Sequence, residues 1–122
     1  MPLAKNVMRA GISAGKARAI NGNDINATVT AAGTTQGTAT AVTADVNVIT
    51  TATTGQGVIL YSGVPGDDQW VYNDTLVDIR VYPHVGAAVN QIATNGAYVL
   101  APKTCSHCKL INSTRWIVNL SA

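Results

Sequence analysis

The feature that most constrains this chain is the stretch from Asn26 to Leu60, NATVTAAGTTQGTATAVTADVNVITTATTGQGVIL. Thr, Val and Ala dominate it. β-Branched side chains hold few χ1 states and pack well on a pleated surface, so such a run favours strands. Polar and apolar residues alternate over Thr38–Ala44 and again over Val46–Thr50, the period of two that puts one face inside and one outside. From Ile25 through Pro65 the only ionised side chain is Asp45, and the whole chain has no Glu. Solvated helix faces are normally filled by Glu and Lys, so the composition argues against a helix-rich fold and an all-β fold is expected.

The rest of the chain carries the same signal. Glycines 33, 37, 55 and 57 punctuate the run, Val58–Tyr61 is a short apolar strand candidate, and Pro65-Gly66-Asp67 is a turn cluster. Gly supplies positive φ there and Asp an Asx-turn. Strands are predicted at Trp70–Tyr72 and at Leu76–Tyr82, where Leu76, Asp78, Arg80 and Tyr82 share one face and Val77, Ile79 and Val81 the other. Pro83-His84-Val85-Gly86 ends that strand. Further strands are predicted near Ala88–Ile92 and Tyr98–Leu100, then at Thr104–Ile111 and Arg115–Leu120. About eight short strands with regular turn signals predict one small sandwich or barrel over residues 26–122, with no strong internal repeat and no linker. Much of the 47% hydrophobic content is Ala and there is no Phe, so the core is thin and oligomerisation is an expected further source of burial.

Residues 1–25 differ in character. Lys5, Arg9, Lys16 and Arg18 fall among the first eighteen residues with no acid beside them, while Gly11 and Gly15 weaken any isolated helix. The segment reads as an extended or partly helical basic arm that orders on a partner, or as a frayed tail. The overall charge of +2 is too mild to imply nucleic-acid binding. No apolar run is long enough to span a bilayer, the start lacks the apolar centre of a secretory signal, and two cysteines make no disulfide scaffold. Folding in a reducing cytosol is expected, with no membrane and no nucleic acid among the partners.

Candidate chemistry is confined to TCSHCKL, residues 104–110, which holds Cys105, His107 and Cys108. A structural zinc site needs four ligands, usually two pairs; His84 is a distant fourth. A redox Cys-x-x-Cys needs a helix start. On a strand Cys105 and Cys108 point to opposite faces, roughly 10 Å apart, beyond disulfide reach. They are expected to be small hydrophobes in a strand. Asp67-Asp68 has the form of a turn rather than a catalytic pair, and no calcium loop, phosphate loop or nucleophile elbow is present. Trp70 and Trp116 lie in strand patterns and are expected to pack in the core, although an exposed one could stack a sugar. No enzyme activity, metal or cofactor is predicted. The small, uncharged surface of the Thr/Val run suits close packing between subunits or against a large partner, with Thr38, Thr40, Val42, Val46 and Val48 as the candidate packing residues.

Several motifs resemble a recurrent module of small tailed-bacteriophage virion proteins: Gly33-Thr34-Thr35-Gln36, Asn47-Val48-Ile49-Thr50-Thr51, Gly57-Val58, Val71-Tyr72-Asn73-Asp74, Val81-Tyr82-Pro83 with Gly86 and Asn90, and a late Trp, here Trp116. The resemblance spans about residues 31–120. It implies a non-enzymatic, β-rich virion component, typically a homotrimer. The expectation it supports is a capsid decoration (cement) protein on the outer capsid surface, made in the host cytoplasm and bridging neighbouring subunits of the major capsid protein. The basic arm, Lys5, Arg9, Lys16 and Arg18, would lie across those subunits. The alternatives are a tail or head fibre module and a host-surface or glycan-binding β-domain. The sequence departs from the pattern after Gly57-Val58, where Leu60 is followed by Tyr61 and proline arrives only at Pro65. The Cys105/His107/Cys108 set is outside it.

Overall fold

A computed structural model describes residues 25–121. Their strands are β1 Ile25–Thr30, β2 Thr40–Ala41, β3 Val46–Thr51, β4 Gly57–Ile59, β5 Asp68–Asn73, β6 Ile79–Tyr82, β7 Ala88–Val89, β8 Tyr98–Leu100, β9 Cys105–Asn112 and β10 Arg115–Leu120. Among the described residues there is no α-helix, only a 3₁₀ turn at Gln36–Thr38. The all-β expectation holds. The arm residues Lys5, Arg9, Lys16 and Arg18 lie outside the described residues.

The strands form two sheets, one of six in the order β1-β3-β5-β9-β10-β7 and one of four in the order β2-β4-β6-β8. From β1 to β9 successive strands alternate between them. β1, β3 and β5 run parallel in the larger sheet, and β2, β4 and β6 run parallel in the smaller. The chain therefore winds three coils through both sheets. This is a short β-solenoid, in which each coil rests on its neighbour, and not the hairpin-built sandwich or barrel expected. The stack is closed at one end by antiparallel pairing: β8 on β6, and β9 on β5 with β10 on β9.

The coil repeat is visible in the sequence once the register is known. Ile25 pairs with Val46 and Asn26 with Asn47, so Ile25-Asn26 and Val46-Asn47 are the same step of consecutive coils. The next coil replaces that pair, since Val46 pairs with Trp70 and Asn47 with Val71. Two other expectations fail locally. The alternation over Thr38–Ala44 yields only the 3₁₀ turn and the two residues of β2. The strand expected from Leu76 begins at Ile79, because Thr75 and Asn73 turn the chain first and leave Leu76 at 85% exposure.

Between the sheets lies one core. Val29, Ile49, Val71, Leu110, Trp116 and Val118 come from the larger sheet and Val58, Ile79, Val81 and Leu100 from the smaller. Burying each large aliphatic contributes roughly 1.5–3 kcal/mol. Gly57 is packed where β4 meets β6, so a Cβ there would lie 2.7 Å from the Arg80 carbonyl oxygen.

Buried amide side chains close the coil corners. Asn47 Nδ2 donates to the Ala44 carbonyl at 2.7 Å and its Oδ1 accepts from the Ala44 N–H. Gln69 exchanges both amide groups with the backbone of Tyr61. Asn73 is fully buried and holds the third coil: its Nδ2 donates to Val77 O at 2.8 Å and Leu100 O at 2.9 Å, and its Oδ1 accepts from the N–H and hydroxyl of Thr75. Past β7, Asn90 pairs its amide with both the N–H and the C=O of Val118, extending the sheet by side chain where the strand has stopped.

These bonds carry a stability prediction. Asn73→Ala strips partners from buried groups that cannot reach water, at about 1–3 kcal/mol each. Urea denaturation should show a loss of about 3 kcal/mol or more. Asn26→Ala, which removes only an acceptor for the exposed Thr28 N–H, should cost under about 1 kcal/mol. Equal losses at both sites would refute the corner role of Asn73.

Candidate functional surface

The CSHC stretch lies on β9, the strand that joins the coils to the closing hairpin. Strand alternation divides it as expected. Cys108 is fully buried in the core, and Cys105 is half-buried on the outer face of the six-stranded sheet. Inward, Tyr98 reaches across from the smaller sheet and its hydroxyl donates to Ser106 Oγ at 2.7 Å, while Cys108 Sγ lies 3.2 Å away. Ser106 in turn donates to the Val71 carbonyl. This knot ties the two sheets together. Burial pushes the Cys108 thiol up to about 11 and the Tyr98 phenol well above its ordinary value; the neutral forms are the ones that an apolar interior tolerates.

Outward, His107 stacks on Trp70, its cross-strand partner, with ring centroids 4.0 Å apart and planes within 6°. His107 Nε2 is 2.8 Å from Asp68 Oδ1, and Lys109 Nζ is 3.4 Å from the same oxygen. The register continues the row in both directions, from Val46 on β3 through Trp70 and His107 to Asn119 on β10. A second row runs Val48, Tyr72, Cys105. The outer face of the larger sheet thus carries half-exposed apolar and aromatic side chains, with Trp70 and Ile117 each 39% exposed. Trp70 is therefore not the core residue that its strand pattern predicts. One face of its indole is covered by His107, which leaves less ring for a ligand to stack on.

Trp116 is fully buried, as expected, and its indole N–H donates to His84 Nδ1 at 3.1 Å. His84 Nε2 lies 3.0 Å from the Ser113 carbonyl. A ring that accepts at Nδ1 donates at Nε2, so this geometry fixes one tautomer. His84 is thereby held at the hairpin of β9 and β10, engaged with Trp116 rather than with His107. Among the described residues no group of three His, Cys, Asp or Glu side chains could hold a metal ion.

The five candidate packing residues do not share a face. Val46 and Val48 lie on the outer face just described. Thr38 is exposed on the 3₁₀ turn, and Thr40 sits in the smaller sheet with its hydroxyl bonded to Thr30 O at 2.6 Å. Val42 is 2% exposed and packs in the core of its own chain, so it offers nothing to a neighbour. Sequence reasoning missed the Asp68–His107–Trp70 arrangement. The three residues are separated by up to 39 positions, and only the antiparallel return of β9 onto β5 brings them together.

Comparison with protein-family models, with curated proteins and with solved structures finds no match to this chain.

Two measurements follow from this geometry. With a maleimide or aromatic disulfide reagent at pH 8, one thiol per native chain should react, and peptide mapping should place the label on Cys105. The buried Cys108 should be modified only on unfolding; equal labelling of both would contradict the strand's orientation. Acid should act through Asp68. Burial raises its pKa, but the hydrogen bond from His107 and the charge of Lys109 outweigh that, so the folded value lies below the ordinary one. A depressed carboxylate contributes stability that is complete above its unfolded pKa of about 4 and is lost as pH falls through the folded value. Unfolding followed downward from pH 5 should show a smaller acid loss for Asp68→Asn than for the native chain. Identical slopes would remove Asp68 from the account.

Proposed function

We propose that this chain is a virion structural protein, a capsid decoration protein that forms homotrimers on the outer shell and bridges neighbouring copies of the major capsid protein. Two things support the reading: the resemblance of residues 31–120 to tailed-phage modules, and the outer face of the six-stranded sheet. That face is the observation that carries it. Val46, Val48, Trp70, Tyr72 and Ile117 present apolar area on a stack of hydrogen-bonded coils, where little conformational freedom remains to be lost on docking. A protein that binds only the assembled shell stabilises it by mass action, and a trimer multiplies weak contacts through effective concentration. The basic arm supplies a second point of attachment.

The exposure of Trp70 favours a second reading, a fibre or host-surface module that binds a glycan. A sugar would use the part of the indole not covered by His107. Trp70→Ala would then abolish binding on a glycan array, whereas a decoration protein shows none.

Native mass spectrometry and co-sedimentation with expanded shells test the first reading. The intact chain should be trimeric and pellet with shells. The variant lacking residues 1–25 should remain trimeric and bind shells at least tenfold more weakly. Val48→Glu, which places charge on the outer face, should release monomers at micromolar concentration. A monomeric native protein that stays in the supernatant refutes it.

A further inference from the structure

The turn between β7 and β8 carries a reactive dipeptide that the fold itself imposes. Asn95 has φ +66°, left-handed backbone that Asn tolerates better than most side chains do. Gly96 is there for room. A Cβ on it would lie 2.6 Å from Ile92 Cγ2 and 2.9 Å from the Ala93 carbonyl oxygen, and Gly serves such close approaches. Asn95-Gly96 is the result; the other Asn-Gly of the chain is Asn21-Gly22, outside the described residues. Asn is a thermolabile residue. It is most so before Gly, where no Cβ hinders the next peptide nitrogen from reaching its Cγ.

Asn95 is exposed, so water reaches it, yet the groups that would have to move are engaged. Its Oδ1 accepts from the Gly86 N–H at 2.7 Å and from Gln36 Nε2 at 3.1 Å. Its own N–H donates to the Ala87 carbonyl at 2.7 Å, and the Gly96 N–H donates to the Ala93 carbonyl at 2.9 Å. Gln36 Nε2 also donates to the Pro83 carbonyl at 2.9 Å. The 3₁₀ turn of the first coil thus clamps an amide 59 positions later. To bring its Cγ over Gly96 N, the Asn95 side chain must rotate out of both Oδ1 contacts, and the Gly96 N–H must leave Ala93. That is a local opening of the turn, and Gln36 opposes it.

We propose that Asn95 is a covalent modification site, a deamidation site gated by its contacts to Gln36 and Gly86. In the opened turn the Gly96 nitrogen gives up its proton and attacks Asn95 Cγ. The N–Cγ bond forms, the Cγ–Nδ2 bond breaks, and the amide nitrogen leaves as ammonia with that proton. Water then opens the succinimide ring. Hydrolysis of the N–Cγ bond gives Asp on an unchanged main chain, and its carboxylate can still accept from Gly86 and Gln36. Hydrolysis of the original peptide bond gives isoaspartate, which puts an extra methylene into the main chain. The turn then no longer brings the N–H groups of residues 95 and 96 onto Ala87 O and Ala93 O together. The gate is one-way for that product: a chain that stays open here carries a permanent mark and a loosened turn. The proposal does not depend on the virion reading.

Ageing the full-length protein at pH 8 tests this, with peptide mapping that separates Asn, Asp and isoaspartate at position 95. In urea Asn95 and Asn21 should convert at similar rates. In the native chain Asn95 should convert many-fold more slowly than it does in urea. Gln36→Ala should raise the native rate several-fold and leave the urea rate unchanged. Ile49→Val, a core substitution in β3 that lowers global stability, is the comparison. After refolding, chains with isoaspartate at position 95 should unfold earlier on a urea-gradient gel than chains with Asp there. Three results overturn the proposal. The first is an Asn95 rate equal in native and urea conditions. The second is a native rate for Gln36→Ala no higher than that for Ile49→Val, which would assign the protection to global unfolding. The third is equal stability of the isoaspartate and Asp forms, which would remove the one-way gate.

Discussion

The coiled stack depends on side-chain amides that satisfy the backbone at three of its turns. A parallel coil cannot close with a two-residue hairpin, so at several corners peptide groups take side-chain partners instead of strand partners. Buried peptide groups without partners are costly. Asn47, Gln69 and Asn73 supply the missing donors and acceptors at successive corners, and Asn90 does the same where β7 ends. These residues are uncharged, carry both a donor and an acceptor, and are short enough to fit inside the stack. The apolar columns between the sheets supply the driving force. The amides decide where the chain is allowed to bend.

The stack has two different surfaces as a result. Inside, small and β-branched side chains fill columns, and the Tyr98–Ser106–Cys108 knot joins the sheets. Outside, the larger sheet displays a ladder in which His107 is clamped between the face of Trp70 and the carboxylate of Asp68. Cross-strand pairs of this kind add roughly 0.2–1 kcal/mol each and hold the side chains in fixed positions. Strand alternation gives the thiol of Cys105 and the thiol of Cys108 opposite fates. The stretch of sequence most suggestive of metal or redox chemistry is a seam, with one side facing the core and the other facing out.

Legibility varied with the range of the interaction. Strand positions were readable where alternation was long, as in Val46–Thr51 and Cys105–Asn112, because period two is a local property. They were lost at Thr38–Ala44 and Leu76–Asp78, where hydrogen bonds to Thr35, Asn73 and Thr75 turn the chain in spite of its pattern. Trp70 and Trp116 look alike in sequence, yet one is partly exposed and the other fully buried. The difference lies in which face of its strand each occupies. The inward face holds Val118 and Leu110 beside Trp116, and the outward face holds Val46 and His107 beside Trp70. Ile25-Asn26 and Val46-Asn47 recorded the coil period, but so short a repeat is a faint signal until pairing gives it meaning.

The sequence by itself determined that the chain is all-β, that its thiols face opposite ways and that its charge is segregated at the start. Each follows from residue type and from the two-residue period of a strand, which need no knowledge of partners. Only the tertiary structure decided that the strands coil in parallel instead of folding into hairpins. It also decided that Val42 is core, and that Asp68, Trp70 and His107 form one ladder. Strand pairing joins residues that are tens of positions apart. Parallel and antiparallel neighbours present the same local alternation, so the choice between them is made by the corners, where buried amides find their backbone partners.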